Sequence, residues 1–229
     1  MKNNTMKKQI TTALFAVAGL LLSTAASHAI TYNVDLKTAS LAGLPAEGPY
    51  YLDFQFATGS GAVGNNTISI SNFNFTGGSA TGSASLFGTA SGSLTSGVTL
   101  KDSPTPSELY QQFTTGTSDI GFTVNTTLNV DAGLTPDMFS VAILDSSLGY
   151  PAQIFTTAPD TASLITETIT SATSLNLGLY HGVGPADGSS SGSFAGVTAS
   201  VPDSGSTLAL FGFALLGFAG FRRKSASLQ

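Results

Sequence analysis

The sequence predicts an all-β fold for the central part of the chain, an antiparallel β-sandwich or a jelly-roll-like body. Three observations lead to this prediction. Apolar and polar residues alternate in many segments after residue 29, as expected when one face of a strand meets a core and the other meets water. Clusters of Gly, Pro, Asn, Asp and Ser separate these segments at short intervals. Helical segments do not alternate with the strands, so a βαβ arrangement is not expected.

The composition limits the classes of function. The chain has 229 residues, enough for one domain and terminal signals, and it has no cysteine, which excludes a disulfide framework, a zinc–thiolate site and a cysteine nucleophile. Between the basic residues of the two termini lie thirteen acidic residues but only two lysines, Lys37 and Lys101, which gives a net charge of −11. A region with so few cationic side chains does not neutralise the phosphates of a nucleic acid, so nucleic acid is not an expected partner.

Residues 1–29 have the three parts of a secretory signal peptide, which predicts a signal helix that is removed on export. The positively charged start consists of Lys2, Lys7 and Lys8. An apolar run from Ala13 to Leu22 follows, and it is too short to span a membrane comfortably. Ser27 and Ala29 provide the small residues that a signal peptidase requires, so cleavage is predicted after Ala29.

Residues 30–200 form the predicted body of about ten short strands. The apolar members of three strongly alternating segments are Tyr50, Leu52, Phe54 and Phe56; Ile120, Phe122, Val124, Leu128 and Val130; and Leu175, Leu177 and Leu179. A barrel is the nearest alternative to a sandwich. An outer-membrane barrel is less expected, because the sequence lacks the lipid-facing apolar bands that such a barrel requires. The Gly/Ser/Thr-rich residues 79–97 are consistent with either flat edge strands or a loose loop.

Three irregular features are expected within this body. The apolar positions change from even to odd between residues 68–70 and 73–75, which predicts a β-bulge near residues 71–72. The glycine pair 77–78 predicts a hairpin-type turn. Residues 106–113 begin with Pro-Ser and are the one place where a short helix is predicted.

Residues with catalytic chemistry are few in the body. His181 is its only histidine, without a G-x-S-x-G motif to suggest a nucleophile, and one histidine is too few for a zinc site. The aspartates near turns lack the spacing of a calcium loop and are expected to cap turns; they are Asp119, Asp131, Asp137 and Asp145. In the absence of Trp, five tyrosines are available to stack on sugars, namely Tyr50, Tyr51, Tyr110, Tyr150 and Tyr180. No catalytic residue, metal or cofactor is predicted.

The C-terminal segment predicts a single transmembrane helix over residues 206–221. Its fourteen residues from Leu208 to Phe221 are apolar throughout and would extend about 21 Å as a helix, or about 27 Å when counted from Ser204. Both lengths are short of the roughly 30 Å hydrocarbon layer, as suits a temporary anchor that is later processed. Residues 222–229 form a basic tail whose stop-transfer residues are Arg222, Arg223 and Lys224.

Five residues before this helix connect the tail to a known class of sorting signals. The sequence Val201-Pro202-Asp203-Ser204-Gly205, followed by an apolar helix and a basic end, resembles the PEP-CTERM class, in particular its VPDSG-CTERM variant. The resemblance implies that an exosortase in the membrane recognises these five residues and processes the tail. It also implies an association with exopolysaccharide and biofilm, and the body resembles the β-rich bodies of other PEP-CTERM proteins.

The preferred interpretation is an exported envelope or extracellular-matrix protein without enzymatic activity. Its expected partners are an exosortase, the membrane through a transient anchor, and exopolysaccharide. One alternative is a carbohydrate-binding module that uses tyrosines and turn carboxylates on a face or rim of the sandwich. A secreted hydrolase with two carboxylates that meet in space is the less favoured alternative.

Overall fold

The computed structural model describes residues 29–44, 47–61, 63–130, 135–159, 162–171, 173–189 and 195–201. Its strands, in chain order, are β1 (Ala29–Lys37), β2 (Tyr50–Ala57), β3 (Thr67–Thr76), β4 (Ser85–Phe87), β5 (Ser91–Ser93), β6 (Gly97–Lys101), β7 (Ser107–Phe113), β8 (Asp119–Thr127), β9 (Met138–Asp145), β10 (Ala152–Gln153), β11 (Phe155–Thr156), β12 (Ile165–Ser171), β13 (Ser174–Leu179), β14 (Gly182–Gly184) and β15 (Gly196–Ser200). A 3₁₀ helix covers Ala39–Gly43. The predicted all-β body is confirmed. The predicted signal helix of residues 1–29 lies outside the described residues except for Ala29, which begins β1, and the predicted helix of residues 206–221 lies wholly outside them.

Two antiparallel sheets form the body. The first has the strand order β15-β1-β8-β3-β6-β5, and the second has the order β13-β12-β9-β2-β7-β4, with β10 added beside β9. A small third sheet consists of β11 and β14. The chain returns repeatedly from one large sheet to the other, so neighbouring strands within a sheet are often distant in sequence.

The core lies between the two large sheets. Phe54 of β2 contacts Phe122 of β8 across the interface, with ring centroids 5.5 Å apart and nearly perpendicular planes. Even-numbered residues of both strands are buried, as the period of two predicts. A polar contact also joins the sheets, because the Tyr32 hydroxyl donates a 2.5 Å hydrogen bond to the buried carboxylate of Glu167. Burial raises the pKa of Glu167, and this hydrogen bond partly offsets the effect.

The predicted helix over residues 106–113 is wrong, because this segment is strand β7. Alternate residues of the strand are buried against the core, and they are Ser107, Leu109, Gln111 and Phe113. β7 pairs along its whole length with β2. Burial of one face of an extended segment therefore outweighs the Pro-Ser start signal for a helix.

The predicted bulge in β3 is confirmed, but the hairpin after it is wrong. The pairing of β3 with β8 shifts between Ser71 and Asn74, and Asn72 has a positive φ of 56°. The extra residue places Phe73 and Phe75 against the same core as the buried isoleucines before the bulge. Gly77 then turns with a φ of 75°, but the chain crosses to β4 in the other sheet instead of pairing back on β3.

Of the two alternatives for residues 79–97, the structure shows edge strands. β4 is the last strand of one large sheet and β5 is the last strand of the other.

β8 ends at Thr127, so the predicted alternation stops short of Val130, whose side chain is exposed. In β13, Leu175 and Leu177 are half-buried and Leu179 is exposed, in keeping with a strand at a sheet edge.

Candidate functional site

The C-terminal tail leaves the body directly from an edge strand. β15 pairs antiparallel with β1, and its last residue, Ser200, lies opposite Asn33. Val201 follows at once and is 66% exposed, so the sorting sequence begins without a linker. The other predicted tail residues lie outside the described residues, and they are Pro202, Asp203, Ser204, Gly205, Arg222, Arg223 and Lys224.

The first and last strands of the body are neighbours in the first sheet. β1 enters the sheet at Ala29, the predicted cleavage residue, which is exposed and lies opposite Thr127 of β8. β15 runs antiparallel to β1, toward the end at which β1 begins, and stops at Ser200 opposite Asn33. Cleavage after Ala29 stays a prediction. Among the residues that the structure describes, no helix has the length and apolar character needed to cross a membrane.

The predicted catalytic candidates of the body serve structural roles or lie on the surface. His181 is exposed between β13 and β14, and its carbonyl accepts a 2.9 Å hydrogen bond from the Thr157 amide. Within the described ranges, no three His, Asp or Glu side chains are grouped in a way that suits a metal ion. The arrangement around His181 therefore gives no support to a catalytic triad.

The aspartates near strand ends cap and connect loops, as predicted. Asp145 accepts hydrogen bonds from the Ser147 hydroxyl at 2.8 Å and from the Ala186 amide at 2.8 Å. Asp137 likewise accepts bonds from the Gly59 amide and the Asn66 side chain, both at 2.8 Å. These bonds occupy both carboxylate oxygens of each residue with protein donors. Asp119 forms a 2.7 Å ion pair with Lys37, and Asp131 lies outside the described residues.

A carboxyl pair that the sequence did not predict lies on the outer face of the second sheet. Asp53 of β2 is fully buried, and its carboxyl interacts electrostatically with that of Glu108 of β7. Burial raises the pKa of Asp53 to about 7, the Glu108 charge adds to the increase, and a 2.7 Å hydrogen bond from Gln55 opposes it.

A secreted hydrolase would need two carboxyls that both reach a bound sugar. Asp53 has no exposed surface, so this arrangement does not present both carboxyls to a substrate. The pairing joins residues 55 positions apart through the register of β2 and β7, which no local sequence pattern encodes.

The five candidate tyrosines occupy different environments. Tyr50 is buried against Phe113 and is therefore unable to form a surface platform. Tyr51 and Tyr110 lie side by side on the outer face of the second sheet, with centroids 5.8 Å apart, and Phe87 stacks on Tyr110 at 6.2 Å. Tyr150 is exposed, and Tyr180 is half-buried.

A β-sandwich body that continues directly into a C-terminal sorting tail defines the class of this protein. The tail itself is identified by a family model described as the VPDSG-CTERM motif, which matches residues 200–225. The motif is of the PEP-CTERM type and implies a secreted protein that is sorted through the envelope and processed by an exosortase-type system. Neither a curated protein nor a solved structure shows significant similarity to the chain.

Proposed function

We propose that this protein delivers its β-sandwich to the cell surface or the extracellular matrix, where it works with exopolysaccharide in a biofilm. In this proposal an exosortase recognises Val201 to Gly205 while residues 206–221 hold the chain in the membrane. The basic cluster fixes the orientation of this helix, because cationic residues stay on the cytoplasmic side. The body carries no catalytic activity of its own.

The observation that carries the proposal is the position of the motif relative to the fold. The matched region begins at residue 200, and β15 ends at Ser200. Val201 is exposed at the sheet edge, so the backbone that follows leaves the body where an enzyme has access to it. Pro202 has no backbone N–H and favours an extended conformation at Val201, which separates the strand from the predicted helix.

A carbohydrate-binding role is the second candidate function, and one observation favours it. Tyr51, Tyr110 and Phe87 form a connected group of rings on the outer face of a sheet, and Phe87 is 52% exposed. Exposed aromatic rings present flat apolar surfaces on which sugar rings stack. This role is compatible with sorting, since a body delivered into a polysaccharide matrix meets such ligands there.

The proposal is tested by the intact mass of the protein in producing cells with and without the exosortase. We expect the mass of the mature protein to show removal of residues near the C-terminus only when the enzyme is present. The N-terminus serves as an internal control, because signal cleavage after Ala29 is expected in both strains. An unchanged C-terminal mass in the two strains, with the signal removed in both, would refute processing by the exosortase.

A further inference from the structure

A cavity suited to ligand binding lies beside the bulge of β3. Its volume is about 610 Å³, within the range of roughly 300–1,000 Å³ that is typical of small-molecule sites. Three segments surround it: residues 71–75 of β3, residues 78–80 after the turn, and residues 94–97 between β5 and β6. A ligand in this space is therefore contacted from several sides.

The cavity exists because the bulge and the end of β6 leave one edge of β3 open. β6 pairs with β3 only from Thr67 to Ile70. Beyond that point β3 continues beside β8 alone, and the left-handed Asn72 redirects the strand. Bulges of this kind are common next to functional sites, because they reorient side chains and end strand pairing.

Two phenylalanine rings supply the apolar surface of the cavity. Phe73 and Phe75 are half-buried, their centroids lie 6.4 Å apart, and their planes differ by 20°. Phe73 is anchored in the core by contacts with Phe54 and Phe122, whose centroids lie 6.0 Å and 5.6 Å away. The two rings therefore present a rigid, nearly continuous apolar surface.

Ala80 and Leu94 add to the apolar part of the lining, and the polar part is uncharged. Hydroxyl and amide side chains surround the rings, and they belong to Ser71, Asn72, Asn74, Ser79, Thr95 and Ser96. None of the described residues that line the cavity has an ionisable side chain. Amides and hydroxyls both donate and accept hydrogen bonds, so they suit a ligand that carries many hydroxyl groups.

We propose that this cavity binds a neutral carbohydrate, as a short stretch of a polysaccharide chain. A pyranose ring has an apolar C–H face that matches Phe73 and Phe75, and its hydroxyls match the amide and hydroxyl rim. Acidic sugars are disfavoured, because the cavity offers no cation and the surrounding chain is strongly negative. The inference deepens the proposed link to exopolysaccharide and rests on it.

The cavity lies away from the exit of the tail. Across the first sheet, Ser71 pairs with Thr123, Thr123 pairs with Asn33, and Asn33 pairs with Ser200. Ser71 and Ser200 therefore lie at the same height along the strands. From there β3 continues to Thr76 in one direction, whereas β15 runs in the other.

The test uses the full chain, purified in detergent, with neutral oligosaccharides of glucose, galactose, mannose and N-acetylglucosamine as probes. Oligogalacturonate is the matched acidic probe. We expect binding of at least one neutral series and no binding of the acidic probe at the same concentration. Phe75→Ala removes one of the two aromatic rings of the cavity, and Thr95→Trp fills the cavity from an exposed turn. Each variant is expected to weaken binding at least about tenfold.

Leu148→Ala is the control variant, because it removes an exposed apolar side chain from the turn after β9 and is expected to leave affinity within about twofold. Phe87→Ala tests the other candidate surface, on the second sheet. Failure to bind any neutral probe overturns the inference, as does binding that is lost in Phe87→Ala but kept in the cavity variants. If Phe75→Ala does not fold, Thr95→Trp alone tests whether the cavity binds the carbohydrate, since this substitution removes no core contact. The intact mass of the tail, measured separately in producing cells, reports on sorting, so failure of carbohydrate binding and failure of exosortase processing are distinguishable.

Discussion

Replacement of Asp53 by Asn is expected to change how the stability of the body depends on pH. The pKa of Asp53 rises from 3.8 to about 7 on folding, chiefly because the carboxyl is fully buried. The folded state therefore binds a proton that the unfolded chain has lost between these two pH values, and stability falls as pH rises through this window. At 1.36 kcal/mol for each pKa unit, the loss attributable to Asp53 reaches about 4 kcal/mol near pH 8.

The asparagine variant removes this titration while it preserves the shape of the side chain. Its amide oxygen still accepts the hydrogen bond from Gln55, and its amide nitrogen is able to donate to Glu108. We expect Asp53→Asn to match the wild type in stability near pH 4. The variant is then expected to exceed the wild type by up to about 4 kcal/mol near pH 8.

Urea unfolding of a fragment spanning residues 30–201, followed by circular dichroism at pH 4, 6 and 8, measures this difference. Asp187→Asn is a suitable control, because Asp187 is on the surface and its pKa is lowered by hydrogen bonds from Ser189. The control is expected to show the pH dependence of the wild type. Parallel stability curves for the wild type and Asp53→Asn would refute the argument that burial holds a proton on this carboxyl.

Three further predictions concern the tail and the contact between the sheets. Deletion of residues 201–229 is expected to leave a folded body that is released into the medium, as fractionation and circular dichroism would show; an unfolded product would contradict a tail that is separate from the fold. Replacement of Arg222, Arg223 and Lys224 by Asn is expected to impair retention of the protein or processing of its tail. Lys101→Asn is the control, and unchanged fractionation of the triple variant would count against the stop-transfer role of the cluster. Tyr32→Phe is expected to lower the free energy of unfolding by about 1–3 kcal/mol, because the buried Glu167 loses its donor, and an unchanged denaturation midpoint would contradict this.

The parts of the fold that leave a local trace in the sequence were predictable. β2 and β8 alternate strictly because each buries one face, and a one-residue change of parity in β3 indicated the bulge at Asn72. β7 also alternates, but the Pro-Ser pair at residues 106–107 suggested the start of a helix. The strand conformation of β7 is stabilised by its pairing with β2, whose residues are more than fifty positions away in the sequence.

The body sites were less predictable than the tail. The VPDSG residues, the apolar run and the basic end are contiguous, so one stretch of sequence contains the whole signal. The Asp53–Glu108 pair and the cavity at Phe73 and Phe75 instead arise from strand register and from the point at which β6 stops. Residues without periodicity, such as the Gly/Ser-rich segment of β4 and β5, gave no basis for choosing between edge strand and loop.

The antiparallel arrangement of β1 and β15 connects the fold with the proposed route through the envelope. β1 enters the first sheet at Ala29, and β15 runs back toward that end and stops at Ser200, opposite Asn33. The cavity beside Phe75 lies on the other side of this level, along β3 beyond Ser71. Because Val201 is the first residue after β15, a cut within or beyond the motif leaves every described strand in the released body.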